Sequence, residues 1–197
     1  MFIVVGIACE PSGEVAVKKH WIAIIILSSL MGALVGCTAA PAKEADDIPA
    51  PLQVAANEVL VQRAHAVGVQ IYRCSPDKND VARFGWLLQA PEAELLDHAG
   101  HKIGKHYAGP TWEARDGSKV LGEVAARAPS PDPNAVAWLL LSAKSTSGAG
   151  IFGRVRFIQR LHTVGGSPPA GGCDQVSAGG EVRVPYSAEY RFYADKS

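Results

Sequence analysis

The stretch VPYSAEYRFY, residues 184–193, alternates large apolar or aromatic side chains with polar ones. An alternation with period two is typical of a β-strand that buries one of its faces. Pro185 indicates a sheet edge or the start of a strand, because proline cannot donate to a strand ladder. One face carries Val184, Tyr186, Ala188, Tyr190 and Phe192, and the other carries Arg183, Glu189 and Arg191.

The same period recurs along most of the chain from about residue 58. It is seen in VGVQIYRC (67–74), in FGWLLQA (84–90) and in GIFGRVRFIQRLHT (150–163). The stretch AVAWLLLSA (135–143) is apolar on both faces, as expected of a central buried strand. In residues 150–163, one face carries Ile151, Val155, Phe157 and Leu161, and the opposite face, expected to meet solvent, carries Arg154, Arg156, Arg160 and His162.

Turn signals separate these segments. HAGH (98–101) and RDGS (115–118) predict tight hairpins. PSPDPN (129–134) and GGSPPAGGCD (165–174) predict longer loops. Residues 53–66 are the one helical candidate, and they fit a strand equally well. The pattern predicts a single all-β domain over residues 57–197, an antiparallel β-sandwich or barrel.

The N-terminal 36 residues are predicted to be a leader rather than part of the fold. A basic patch, Lys18 to His20, precedes sixteen uncharged residues, 21–36, and a small-residue zone follows. LVGC, residues 34–37, resembles the lipobox of bacterial lipoproteins, which implies cleavage before Cys37 and attachment of lipid to it. An uncleaved transmembrane anchor is the alternative, but the apolar segment is shorter than the roughly 20 residues that span a bilayer.

Residues 1–16 do not fit the leader, because they contain Glu10 and Glu14 where signal sequences are basic. Translation is therefore expected to begin near Val17. Residues 37–56 are rich in alanine and proline, and we expect a flexible tether there. Thr38 follows the lipobox cysteine, and its resemblance to lipoprotein sorting signals implies a location in the cell envelope, on the periplasmic face of the outer membrane.

The cysteines and the net charge further limit the kinds of protein that this chain could be. In an exported chain, the two cysteines left after Cys37 favour a Cys74–Cys173 disulfide over a metal or redox pair. Closing a loop of about 100 residues would stabilise the fold by about 4–5 kcal/mol in the chain-entropy model. The formal net charge is zero, which gives no indication of a nucleic-acid partner.

Several strings together resemble one family, the secreted domain of unknown function DUF3455, over about residues 52–194. The resemblance implies no activity. No GxGxxG motif follows a strand, so no dinucleotide cofactor is expected. The strings are GVQIYRC (68–74), APEAEL (90–95), HYAGPTWE (106–113), WLLL (138–141), IQRLHTVGG (158–166), GCD (172–174) and VPYSAEYRFY (184–193).

The segment HYAGPTWE lies where strand ends and loops should meet, at the mouth of a sandwich or barrel. We predict a non-catalytic module that binds a small molecule or a glycan, with no metal and no cofactor. Arginine binds carboxylates bidentately, so Glu113 and Arg160 could form a buried ion pair. The candidate ligand-binding residues are His106, Tyr107, Trp112, Glu113 and Arg160.

Other interpretations stay open. An envelope carbohydrate hydrolase would use Glu113 with a second carboxylate from Asp116, Glu123 or Glu189. A metal site would use His98, His101 and His106 with Glu113. A nucleophilic triad would combine Ser118, His106 and Asp116. A structural or adhesion module needs none of these, because Trp112 would then be a core residue and Glu113 would face solvent.

Overall fold

The computed structural model describes residues 47–196. The predicted leader and the first half of the predicted tether, residues 37–46 with Cys37, lie outside these residues. Among residues 47–196, no helix is long and apolar enough to cross a membrane. The part of the predicted tether that is described contains a 3-10 helix, η1 (Ala50–Leu52), whose Leu52 is fully buried.

Eight antiparallel strands form one closed barrel in chain order. The all-β prediction is therefore confirmed, and the barrel is the correct one of its two alternatives. Residues 53–66, which fitted a helix or a strand, enter the first strand. The strands are β1 (Glu58–Pro76), β2 (Phe84–Leu96), β3 (Lys102–Tyr107), β4 (Thr111–Ala114), β5 (Lys119–Ala128), β6 (Trp138–Ser147), β7 (Phe157–Gly165) and β8 (Glu181–Asp195).

The long first and last strands close the barrel. Their ladder runs from Glu58 opposite Asp195 to Arg73 opposite Glu181. The opening sequence stretch lies in β8, and its aromatic face points inward as the alternation predicted. Tyr186, Tyr190 and Phe192 are each at most 4% exposed.

Two apolar cores lie on opposite sides of the sheet. The inner core fills one half of the barrel and includes Leu95, Trp112, Val120, Phe152, Ile158 and Phe192. A smaller outer core packs Leu52 against Trp138 and Leu161. Because β6 contributes to both cores, the sequence 135–143 is apolar on both of its faces.

Residues 150–163 differ from the prediction. A 3-10 helix, η2 (Ile151–Arg154), interrupts this segment before β7 begins. Arg160 pairs with Leu139 of β6 and Tyr190 of β8, so its side chain shares their inward face. The expectation that Arg160 faces solvent with Arg154 and Arg156 is wrong.

The ends of the barrel carry different connections. The tight turns at 97–101 and 115–118 lie at one end, as the hairpin signals predicted. The connection 148–156, which contains η2, lies at this same end. The longer connections 77–83, 129–137 and 166–180 lie at the other end, together with the short β3–β4 turn. The Cys74–Cys173 disulfide is present, with a Cα–Cα distance of 5.3 Å, and it fastens the last of these loops to β1.

Candidate functional site

The half of the barrel next to the long loops contains an open cavity of about 540 Å³. Its floor is formed by fully buried residues, including Gln70, Trp112 and Tyr190, which separate it from the packed half. Its mouth is bordered by Leu88 and Val124, which are 52% and 39% exposed. The barrel is therefore filled at one end and open at the other.

His106 and Trp112 occupy the floor because they are direct neighbours on β3 and β4 and share the inward face. Their rings stack with centroids 4.3 Å apart, and the Tyr190 ring meets both edge-on. Gly109, with a φ of 123°, lies in the turn between the two strands. The segment HYAGPTWE thus forms part of the cavity wall.

His106 is held in its neutral form. Burial lowers the pKa of His106 to about 3, the nearby charge of Arg160 acts in the same direction, and a hydrogen bond to Thr111 opposes them. Nδ1 of His106 lies 2.9 Å from the carbonyl oxygen of Thr111 and must donate to it. Nε2 is consequently an acceptor, and the ring does not supply a proton near neutral pH.

Arg160 brings a positive charge to the cavity wall. Its Nε and Nη2 both donate to the carbonyl oxygen of Ala137, at 3.1 and 2.9 Å. The charge of Arg160 lowers the pKa values of Tyr72 and Tyr190, against the larger effect of burial, which raises them. Within residues 47–196, no ion pair joins Arg160 to a carboxylate.

Three polar groups on the floor are buried without a hydrogen-bond partner. They are Nε2 of Gln70, Nε1 of Trp112 and the hydroxyl of Tyr190. The hydroxyl of Tyr186 and the side chain of Arg160 both lie close enough to the Tyr190 hydroxyl to affect the pKa of Tyr190. Neither contact meets the distance and angle of a hydrogen bond, so the hydroxyls of Tyr186 and Tyr190 stay unpaired. Buried polar groups in native proteins are nearly always paired, so this concentration marks the floor as unusual.

Tyr107 and Glu113, two of the five candidate residues, lie on the outer face of the same hairpin. The Tyr107 hydroxyl donates to Oε2 of Glu113 at 2.8 Å, and Lys105 and Lys119 are each 3.4 Å from that oxygen. The Tyr107 hydrogen bond and these lysines lower the pKa of Glu113. The structure therefore brings together His106, Trp112 and Arg160, and the expected Glu113–Arg160 ion pair is wrong.

The residues drawn into a nucleophilic triad have structural roles. Asp116 accepts hydrogen bonds from Ser118 and from the backbone of Ile151, and Ser118 Oγ accepts one from the backbone of Phe152. These contacts fasten η2 to the β4–β5 turn. His106 is at the opposite end of its strand pair, so the three residues do not form a triad.

The geometry gives little support to a metal site or to a carbohydrate hydrolase site. No group of three or more potential ligands gathers among the described residues. His101 pairs with Asp97 in the β2–β3 turn, at the end of the barrel opposite to the cavity. Glu189, one of the proposed second carboxylates, pairs with Arg63 and Arg191.

Sequence reasoning missed Gln70 and Tyr190 as site residues. Both lie on strand faces whose other members are buried, and each carries a polar atom into that face. Alternation could have found Tyr190, because its polar hydroxyl lies on a face that the sequence already marks as inward. It could not have found Gln70, because Val69 and Ile71 make the opposite face of β1 the more apolar one in the sequence.

The comparisons with known proteins give one match. Residues 54–194 match the family described as "Protein of unknown function (DUF3455)". No curated protein matches the chain. No solved structure matches it.

Proposed function

We propose that this chain, which belongs to the DUF3455 family, is a non-catalytic binding protein of the cell envelope that takes one small molecule into the open half of its barrel. One observation carries the proposal, namely a barrel that is packed at one end and encloses about 540 Å³ at the other. Ligand cavities are typically about 300–1,000 Å³. Eight-stranded barrels either fill with side chains or hold one small ligand.

The walls favour a small molecule over a glycan. Between the polar floor and the mouth, the cavity is bordered by apolar side chains such as Pro91, Val136 and Leu139. Apolar walls with a few placed polar groups are the usual composition of a site for a small, partly apolar molecule. A glycan would need more hydrogen-bond partners for its hydroxyl groups than the apolar side chains of this wall offer.

Hydrolysis by Glu113 is a weaker alternative. A general acid needs a raised pKa, and the surroundings of Glu113 lower its pKa. Glu113 also lies on the outside of the barrel, so the cavity cannot present a substrate to it. A purely structural or adhesive module would not need an open interior with unpaired polar groups.

Attachment to a membrane through lipid on Cys37 belongs to the same proposal, with the periplasmic face of the outer membrane as the location. The lipobox-like sequence LVGC supports it. The Cys74–Cys173 disulfide is compatible with an oxidising compartment outside the cytosol. In bacteria grown with a labelled fatty acid, the unsubstituted protein should incorporate the label and Cys37→Ser should not, and an unlabelled unsubstituted protein would contradict lipidation.

Binding in the cavity is tested with the neutral fluorescent probe N-phenyl-1-naphthylamine, whose emission rises in apolar surroundings. The full chain carrying Cys37→Ser should enhance the emission saturably. Leu88→Trp narrows the mouth and should abolish most of the enhancement. Leu87→Trp is the matched control, because Leu87 is the next residue, is 43% exposed and points away from the cavity. Equal effects of the two substitutions would refute binding in the cavity.

A further inference from the structure

The unpaired groups on the cavity floor share one property, since all can donate a hydrogen bond. Nε2 of Gln70 and Nε1 of Trp112 are donors, and the Tyr190 hydroxyl can donate. Leaving such groups unpaired in a buried position costs free energy. A ligand group that accepts a hydrogen bond from the Tyr190 hydroxyl would remove that cost at Tyr190.

The charged residues that line the cavity indicate which kind of hydrogen-bond acceptor the ligand carries. Arg160 on the wall and the exposed Arg127 at the mouth both line it, and no aspartate or glutamate does. Only Arg160 lies on the inward face beside the floor, next to Tyr190 in the strand register. One compensating negative charge fits this environment, whereas a dianion would leave one charge buried without a partner.

The geometry points to a monocarboxylate with an apolar body as the ligand. This inference rests on the proposed function and adds the class of molecule that is bound. The carboxylate lies on the floor, where it accepts from Arg160 and from the Tyr190 hydroxyl, which are neighbours in the strand register. The body extends along the apolar wall and leaves the barrel between Leu88 and Val124. Arg127 at the mouth attracts the anion as it approaches.

Competition against bound N-phenyl-1-naphthylamine tests the inference. Decanoate, decanol and decylamine each have ten carbon atoms in an unbranched chain and differ in the head group. At pH 8, with the full chain carrying Cys37→Ser, decanoate should displace the probe at concentrations about tenfold or more below those of decanol, because charge-assisted hydrogen bonds are the strong ones. Decylamine should be the weakest competitor, since its cation meets Arg160.

Arg160→Met should remove the preference, so that decanoate and decanol compete equally while the probe still binds. Arg154→Met is the matched control, because Arg154 is exposed on η2 and does not line this cavity, and it should preserve the preference. Decanoate preference that survives Arg160→Met overturns the inference.

Tyr190→Phe gives a second, conservative variant should Arg160→Met fail to fold. It removes one hydroxyl and should weaken decanoate severalfold while leaving decanol unchanged. Equal competition by the three amphiphiles in the unsubstituted protein would overturn the inference that the ligand is a carboxylate. The proposal that the cavity binds a small molecule would stand. Absence of any probe binding would overturn the proposed function itself.

Discussion

Replacing Tyr190 by phenylalanine should stabilise the protein, although it removes a polar group from a fully buried side chain. The Tyr190 hydroxyl is buried, the residue is 1% exposed, and no partner lies at hydrogen-bonding geometry. An unsatisfied buried group of this kind costs about 1–3 kcal/mol. Tyr190→Phe should therefore raise the free energy of unfolding by about 1 kcal/mol in the absence of ligand.

Tyr72→Phe is the matched control and should have the opposite sign. Tyr72 is 5% exposed, and its hydroxyl donates to the carbonyl oxygen of Gly166 at 2.7 Å. Its removal loses that bond and leaves a carbonyl unpaired, which should cost about 1–2 kcal/mol. The two substitutions delete the same atom, so the difference between them isolates the effect of hydrogen bonding.

The measurement is urea unfolding followed by tryptophan fluorescence with the disulfide intact. A change in midpoint at an unchanged slope reports stability. In thermal unfolding, 1 kcal/mol corresponds to about 2–4 °C for a domain of this size. If Tyr190→Phe destabilised the protein as much as Tyr72→Phe does, the Tyr190 hydroxyl would have a partner in the free protein, and the reasoning about the floor would fail.

Three further perturbations follow from the packing. His106 has a pKa of about 3 in the fold and an ordinary value near 6.5 when unfolded, so the unfolded state binds more protons between these values and stability should fall with decreasing pH there. The contribution of His106 to the slope should reach about 1.4 kcal/mol per pH unit, and the slope in His106→Phe should be smaller by that amount, as measured by urea unfolding at several pH values. Gly122→Ala would place a Cβ 2.9 Å from a ring carbon of Trp112 and should lower the melting temperature, whereas Gly85→Ala, with no atom within 4 Å, should not. Replacing both cysteines of the disulfide by alanine should lower the free energy of unfolding by up to about 4–5 kcal/mol, which calorimetry would detect as a large fall in melting temperature.

The sequence predicts strands well here because burial has period two. The alternation in residues 184–193 gave the correct faces, and the cysteine count gave the correct disulfide. Alternation does not distinguish a sandwich from a barrel, since that depends on whether β1 reaches β8. Closure is a long-range property, and no local pattern of residues expresses it.

The sequence predicts only in part which of the five candidate residues face the cavity and which lie outside the barrel. In the β3–β4 hairpin, His106 and Trp112 lie on one face of the strands, and Tyr107 and Glu113 lie on the other. Alternation therefore already separates the two pairs. The position of Arg160 was harder to predict. The helix η2 interrupts the chain just before β7, so a period of two does not hold through residues 150–163. Arg160, which was expected to face solvent, therefore lies inside the barrel.

The pairing of the first strand with the last also constrains how the protein is made. Ribosomes and export channels deliver a chain from its N-terminus, yet the partner of β1 is 15 residues that end at Asp195. Until those residues emerge, β1 presents an unpaired edge to any other chain. Such a non-local contact is slow to form, because the loop-closure entropy is lost before the contact is gained. A chain that stalls before β8 should therefore be a target for proteases and chaperones, whatever the quality of its other strands.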